Sequence, residues 1–454
     1  MTSRTMKDFA LTTGGELAGN NISFSEISID SRNPQAGAVF LAISGPNFDG
    51  HDFIAQAKSR GAVGLVVNQA MNSGLPEVVV SDTRRALGDF AEAWRRNFSC
   101  PVIGITGSSG KTTVKNTCGQ IMSCIGETLA TEGNHNNDIG LPLTLLRMRE
   151  SHNYAVIELG ADKKGEIARL TEIARPDVGV VANVGPAHLA GFGSVQGVAE
   201  TKGELFVGLP GSGTAVINAD EPFYDYWRDI AGDRRIVTFG FVTNADFHVD
   251  RDAISQSGAV SRFDLQSPDG EIEIELPLPG MHNVNNALAA AAAAWAAGAS
   301  LQSIQSGLKQ ARGATGRLQI IDTAAGMKII NDTYNANPLS LSAALQWLVS
   351  LGGTAWLVLG DMKELGEKSQ AMHRKAGVEA KRLGVQRLYT FGDASKEAVS
   401  GFGMNAIHFQ DMDQLNERLR KDITPGITVL VKGSRGMRME RVVEALTSAA
   451  EKRG

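Results

Sequence analysis

The sequence predicts an α/β protein of three domains, and two stretches carry most of that prediction. In residues 102–125 a short apolar strand (Val102, Ile103, Ile105) runs through a glycine-rich turn into a segment whose apolar positions Val114, Cys118, Ile121, Met122 and Ile125 recur at spacings of three and four. In the C-terminal third, the strand-like runs Trp356–Leu359, Arg387–Phe391 and Ile427–Val431 are each followed by a glycine turn and a helical stretch, the pattern of a doubly wound sheet. At 454 residues the chain exceeds what one compact core accommodates. The expected architecture is a small N-terminal α/β domain (1–98), a central P-loop ATPase-like domain with a mostly parallel sheet (99–313), and a C-terminal Rossmann-like doubly wound domain (314–454).

The first domain alternates strand-like and helix-like stretches. Ile27–Arg32 alternates apolar and polar residues, Ala38–Ile43 reads as a buried strand, Phe53–Arg60 as a helix, and Ala62–Val67 and Val78–Val80 as further strands. Thr83 is the expected cap of a helix through Arg96 with Leu87, Phe90, Ala91 and Trp94 on one face. Ser31 and Arg32, and the loop of Ser44, Gly45, Asn47 and His51, lie at strand ends, where α/β sheets tend to place ligands. The residues alone do not separate such a role from plain turns.

The second domain opens on Thr106-Gly107-Ser108-Ser109-Gly110-Lys111-Thr112-Thr113. Strand, glycine loop, Lys-Thr and helix together make a phosphate-binding loop: the glycines let backbone N–H groups turn toward an anion, and the helix N-terminus adds partial positive charge. Lys111 is expected to reach the β/γ-phosphates and the Thr112 hydroxyl to ligate Mg²⁺. Ile105 stands where the strict pattern has its first glycine, and Gly126 is expected to end the helix as a C-cap. Thr131–Asn137 is a polar loop rich in amides, and the strand Tyr154–Glu158 ends in a carboxylate where a phosphate loop usually holds its Mg²⁺; a helix-capping Glu is the alternative. The strand Val178–Val184 leads to His188, which alone is more often structural than a ligand, and Lys202 follows on a helix beginning near Ser194 or Val195. Asn283 is the expected N-cap of an alanine-rich helix closing at Gly298, and Gly313–Arg317 the junction to the third domain. There, Asn331–Pro338 is too polar and irregular to be only a connection, and Lys432 and Arg435 put two cations at a strand end, fit for an anionic substrate or simply a solvated loop.

Composition narrows the class. Hydrophobic content of 43% with 20% charged residues is that of a soluble globular protein, and a net charge of −5 gives no reason to expect nucleic-acid binding. Cys100, Cys118 and Cys124 fit no zinc spacing and suit a reducing compartment, with Cys118 and Cys124 packed on the helix after the loop. Residues 1–9 lack an apolar signal region, and the run Asn283–Gln302 is mostly alanine, which favours a buried helix over a membrane span. A cytoplasmic monomer without membrane insertion is expected.

Taken in order, Thr106–Thr113, Glu158, His188, Lys202, Gly280-x-His282-Asn-x-x-Asn286, Arg317 and Asn331–Pro338 resemble the Mur ligase family over all three domains. Thr131–Asn137 and Asp332–Pro338 resemble its branch that adds D-alanyl-D-alanine, and the Asp-Tyr-Ala-His and Asp-Asn-Pro-Arg type sequences typical of the single-amino-acid branches do not occur. The resemblance implies ATP-dependent joining of D-Ala-D-Ala to UDP-MurNAc-tripeptide through an acyl phosphate. It implies that Thr112 and Glu158 hold one Mg²⁺, and that His188 and Lys202 serve a second. A lysine ammonium cannot ligate a cation, so Lys202 would act as a carbamate formed with CO₂. By the same resemblance Asn137, His282, Asn286, Arg317 and Asp332 contact the nucleotide. Ser31, Arg32 and the Ser44–His51 loop grip the uridine diphosphate, and Tyr334, Asn335, Asn337 and Arg435 present the dipeptide. With ATP contacts coming from two domains, closure about hinges near Ser99 and Gly313 is expected. The rivals are a Mur-type ligase adding one amino acid, a folylpolyglutamate synthase, and a phosphate-loop switch that hydrolyses ATP without ligating a product.

Overall fold

The computed structural model describes residues 4–45, 48–186, 189–313, 315–323 and 326–451. Its strands form three principal sheets, one in each third of the chain.

In the first, five strands lie in the order Glu16–Ala18, Glu77–Val79, Gly64–Val67, Ala38–Leu41, Glu26–Ser28, parallel except for the first. The helix Thr83–Arg95 buries Leu87, Phe90 and Ala91 as its periodicity predicts. Its cap is Asp82, not Thr83: the Asp82 carboxylate accepts from Arg84 N (2.9 Å) and Arg85 N (3.0 Å). The Thr83 hydroxyl donates to the Ala42 carbonyl (2.7 Å), tying helix to sheet.

The central sheet has ten strands. Seven are parallel, in the order Thr128–Ala130, Tyr154–Glu158, Val102–Thr106, Val178–Val181, Thr214–Asn218, Arg235–Gly240, Phe247–His248, and the antiparallel hairpin Val260–Ser267/Gly270–Leu276 with Ser255–Ser257 extends the far edge. The chain passes from one side of Val102–Thr106 to the other, which makes the carboxyl end of that strand a switch point, where open α/β sheets bind ligands. The phosphate-loop helix Lys111–Ser123 packs on Met281–Ala296 and Leu301–Lys309. Ala287–Ala294 are buried, so the uncharged run is a packed core helix, and among the described residues no helix is long and apolar enough to cross a membrane.

Three local expectations change. Gly126 lies beyond the helix end with no left-handed φ; a side chain there would meet Asn153, with a Cβ only 2.7 Å from its Cβ, so glycine serves close approach and not capping. The alanine-rich helix starts at Gly280, and Asn283 sits inside its first turn with Nδ2 donating to the Pro279 carbonyl (2.7 Å). Cys118 is buried as expected, whereas Cys124 is exposed.

The third sheet runs Gln319–Asp322, Lys328–Asp332, Ile427–Lys432, Thr354–Gly360, Arg387–Phe391, Ala406–Phe409, parallel but for its first strand. Lys328–Asp332, invisible as a strand amid polar neighbours, supplies the inner strand that carries Asp332 to the cleft.

Candidate active site

The phosphate loop is built by two constraints. Gly110 begins the helix with φ +74°, a conformation L side chains rarely adopt, and a Cβ there would lie 2.4 Å from Asn286 Oδ1. Opposite, Asn183 clamps the loop: its carbonyl accepts from Ser108 N (3.1 Å), its Oδ1 from Ser109 N (2.9 Å), and its Nδ2 donates to the Ser109 carbonyl (3.0 Å). The strand expected to continue to Val184 stops at Val181, which frees Asn183 to turn toward the loop. Ser108 Oγ accepts from Gly185 N (3.0 Å).

Lys111 Nζ donates to the Gly107 carbonyl (2.8 Å), folded against its own loop; burial and the Arg317 charge push its pKa down, while Glu158 pulls it up. Glu158 pairs in register with Ile105 on the loop's strand. Its Oε1 accepts from Asn136 Nδ2 (2.8 Å), whereas its Oε2 is buried without any hydrogen-bond partner. An orphaned carboxylate oxygen beside a threonine hydroxyl and a phosphate loop fits a hard cation that takes its remaining ligands from phosphate and water. Among the described residues no group of three or more His, Cys, Asp or Glu forms a self-sufficient metal site.

The third domain reaches in through Arg317. Its Nη2 donates to Thr112 Oγ1 (3.0 Å), its guanidinium stacks 4.2 Å from the Tyr334 ring centroid, and its Nε is buried without a partner. Asp332 is held by Lys432 Nζ (2.5 Å) and accepts from Leu318 N (3.2 Å), and Lys432 also donates to the Asn335 carbonyl (2.9 Å). Burial lowers His282 to about 4, outweighing the opposing Asp332, so its imidazole is neutral at pH 7.

These groups line one cavity of about 1330 Å³: Ser108, Ser109, Gly110, Lys111, Thr112, Thr113, Asn137, Glu158, His282, Asn286, Arg317, Asp332, Tyr334, Asn335 and Asn337 all border it. Asn137 Oδ1 is committed to Gly140 N (2.9 Å), and Asn337 caps the helix Pro338–Ser350 through Ser340 N (2.8 Å). Lys202 does not line the cavity; it is 2% exposed, on the helix Val195–Val207 that Ser194 caps as expected. Burial, then the charge of Lys111, lower its pKa to about 7. His188 and Asn47 lie outside the described residues.

The remaining candidates are apart. Ser31 donates to Gln56 Oε1 (2.7 Å), and Arg32 forks onto Asp30 (2.7 and 2.9 Å). Ser44 and His51 share Asp49 (2.9 and 2.6 Å), with Gly45 beside them. His51 Nε2 accepts from Asn68 N (3.2 Å), so Nδ1 carries the proton toward Asp49. Arg435 pairs with Glu440 (3.1 Å), outside the cavity. Asn136 belongs to the amide loop Thr131–Asn137 read from sequence, whereas Asn183 and Lys115, whose buried ammonium donates to the Thr131 carbonyl (2.6 Å), were not singled out from sequence. A polar residue just past a buried strand beside a phosphate loop is the signal that marks Asn183.

Family models match all three parts of the chain: "Mur ligase family, catalytic domain" over residues 23–95, "Mur ligase middle domain" over 105–294, and "Mur ligase, glutamate ligase domain" over 316–435. The chain is 42% identical over 449 residues to the UDP-N-acetylmuramoyl-tripeptide–D-alanyl-D-alanine ligase of Escherichia coli (strain K12), spanning 98% of this chain and 99% of that protein. A crystal structure of MurF from Acinetobacter baumannii superposes with TM-score 0.93 at 34% identity, covering 99% of each chain. The MurF ligase of Thermotoga maritima in complex with ADP superposes with TM-score 0.85 at 29% identity, over 94% of this chain and 98% of that one.

The Lys432–Asp332 pair, 2% and 10% exposed, makes a stability prediction. Lys432→Met leaves a buried carboxylate without its cation and should cost about 3–5 kcal/mol in denaturant unfolding. Adding Asp332→Asn should recover part of that loss; strictly additive losses would show that the pair is not coupled.

Proposed function

The chain belongs to the Mur ligase family, and on that premise we propose that it joins D-Ala-D-Ala to UDP-MurNAc-tripeptide at the expense of ATP, giving ADP, phosphate and UDP-MurNAc-pentapeptide. One observation carries the reading: Lys111, Thr112 and the half-satisfied Glu158 of the second domain converge with Arg317 of the third on a single cavity. The E. coli relative and the ADP complex of the T. maritima ligase support it.

An amide does not form from carboxylate and amine without activation. The terminal carboxylate of the tripeptide therefore attacks the γ-phosphorus of ATP, and ADP leaves an acyl phosphate behind. Lys111, released from the Gly107 carbonyl, and the N–H groups that open the helix Lys111–Ser123 face the charge on the transferring phosphoryl group. Arg317 brings a guanidinium with one unpaired N–H to the same charge, so nucleotide binding draws the third domain onto the second. Asn137, neutral His282, Asn286 and Asp332 surround the rest of the nucleotide. Thr112 and Glu158 are the residues that would hold Mg²⁺, which when bound neutralises phosphate oxygens. His188 and Lys202, the latter as its carbamate, would hold a second Mg²⁺. The domain of residues 1–98 grips the uridine diphosphate through Ser31, Arg32 and the Ser44–His51 loop. Residues 99–313 bind ATP, and residues 314–454 present the dipeptide through Tyr334, Asn335 and Asn337; Arg435, paired with Glu440 outside the cavity, does not join them. The enzyme acts as a cytoplasmic monomer.

Phosphate release from ATP should require UDP-MurNAc-tripeptide and D-Ala-D-Ala together, with a mass gain of one dipeptide on the nucleotide sugar, and should stop when the divalent cation is chelated. Lys111→Met should abolish release, and Arg32→Met should raise KM for the nucleotide sugar and not for ATP. Release from ATP alone would point to a switch, and activity with one amino acid in place of the dipeptide would overturn the substrate.

The carbamate has its own test. Only the neutral amine adds CO₂, so with a pKa near 7 the modified fraction should rise as pH climbs through 7 at fixed CO₂ pressure and fall below it. Protein equilibrated with ¹³CO₂ should show a carbamate carbon resonance that is missing from Lys202→Arg; its absence above pH 8 in the unsubstituted protein would refute the modification.

A further inference from the structure

Glu221 is a carboxylate in the cavity that the activation step leaves unused. It follows the strand Thr214–Asn218 at the sheet's carboxyl end, and its Oε1 accepts from Val184 N (3.2 Å). Val184 sits between Asn183 and Gly185, the two residues that hold Ser108 and Ser109 of the phosphate loop. On its other side this short loop meets the third domain: a Cβ built on Gly185 would lie 3.0 Å from Leu339 Cδ2, in the first turn of the helix Pro338–Ser350. Glu221 thus stands where the phosphate loop and the third domain meet, and it borders the cavity that Tyr334 and Asn335 enter.

The other acids there are committed. Asp220 gives its carboxylate to Phe241 N (2.8 Å) and Val242 N (3.2 Å). Glu166 Oε2 accepts from Asp162 N (2.7 Å) and Lys163 N (3.0 Å), and Asp162 acts on the ammonium groups of Lys111 and Lys202. Asp138 pairs with Arg84 (3.4 Å), Asp332 with Lys432, and Glu158 is the metal candidate. No described residue hydrogen-bonds Glu221 Oε2.

We propose that Glu221 receives the proton of the incoming amine and so makes D-Ala-D-Ala nucleophilic; this assignment rests on the ligase reading above. An α-amino group is mostly ammonium at neutral pH and has no lone pair to give. One N–H proton passes to the Glu221 carboxylate, the nitrogen lone pair forms the C–N bond to the acyl carbon, and the C–O bond to phosphate breaks. The second proton of the attacking nitrogen leaves with the phosphate oxygen, and Glu221 returns its proton to water through the open cavity. Burial, helped by the charge of Asp220 and opposed by the Val184 N–H, raises the Glu221 carboxyl to about 7, where it can both take and return a proton.

The test compares two nucleophiles on Glu221→Gln, which keeps the side chain's shape. Coupling to D-Ala-D-Ala should fall by about 10²-fold or more. Hydroxylamine, already uncharged at neutral pH, needs no base, so ATP-dependent hydroxamate formation on UDP-MurNAc-tripeptide should proceed as in the unsubstituted enzyme; this also reports that the variant is folded and still activates the carboxylate. Glu221→Asp should restore part of the dipeptide coupling. Full coupling activity in Glu221→Gln, or equal loss of both reactions, would overturn the assignment. Unsubstituted enzyme that makes hydroxamate but never couples D-Ala-D-Ala would instead overturn the substrate reading beneath it.

Discussion

An anion-binding loop has to hold one backbone shape so that the N–H groups opening its helix stay unpaired, and a glycine-rich chain left alone would collapse. Here Asn183 prevents that. Its three hydrogen bonds to Ser108 and Ser109 fix the loop against the neighbouring parallel strand, and the same turn passes the restraint on to Gly185, and through it to Leu339 of the third domain. The positions of Lys111, Thr112 and the Arg317 contact all follow from that clamp. A side chain two residues past a strand end therefore links the chemistry of one domain to the placement of another.

Much of this was legible in the residues. A buried strand, a glycine turn and an amphipathic helix with Lys-Thr at its start are local features, and the chain realises them over Val102–Ser123 with Glu158 in register beside them. What was illegible is what tertiary contact decides. Asp82 outcompetes Thr83 as a cap because the Thr83 hydroxyl finds the Ala42 carbonyl, and Asn283 lies one turn too far in because Gly280 already begins the helix. Asn183 and Glu221 act across strands that lie far apart in sequence, so no local period announces them. Lys432, read as a cation for an anionic substrate, spends its charge on Asp332, 100 residues away.

The two expected hinges differ physically. The first and second domains share one apolar core, with Leu87 and Phe90 packed in the same cluster as Leu170 and Ile173. Buried Arg95 crosses the boundary to the Ala174 carbonyl (3.2 Å) and Asp177 (3.4 Å). Movement near Ser99 must open that core. At Gly313 the contacts include a hydrogen bond from Arg317 to Thr112 and the abutment of Gly185 with Leu339. Of the two, we propose the junction near Gly313 as the hinge.

If the carboxylate is activated by phosphorylation before the amine attacks, one of its oxygen atoms must leave with the phosphate. UDP-MurNAc-tripeptide labelled with ¹⁸O in its terminal carboxylate should be coupled with D-Ala-D-Ala by this enzyme, and the released phosphate analysed by mass spectrometry. One ¹⁸O per phosphate is expected, because the carboxylate oxygen becomes the bridge of the acyl phosphate and departs with it. Phosphate free of label would mean that ATP is cleaved by water or at another atom, and would contradict the mechanism built on Lys111, Thr112, Glu158 and Arg317.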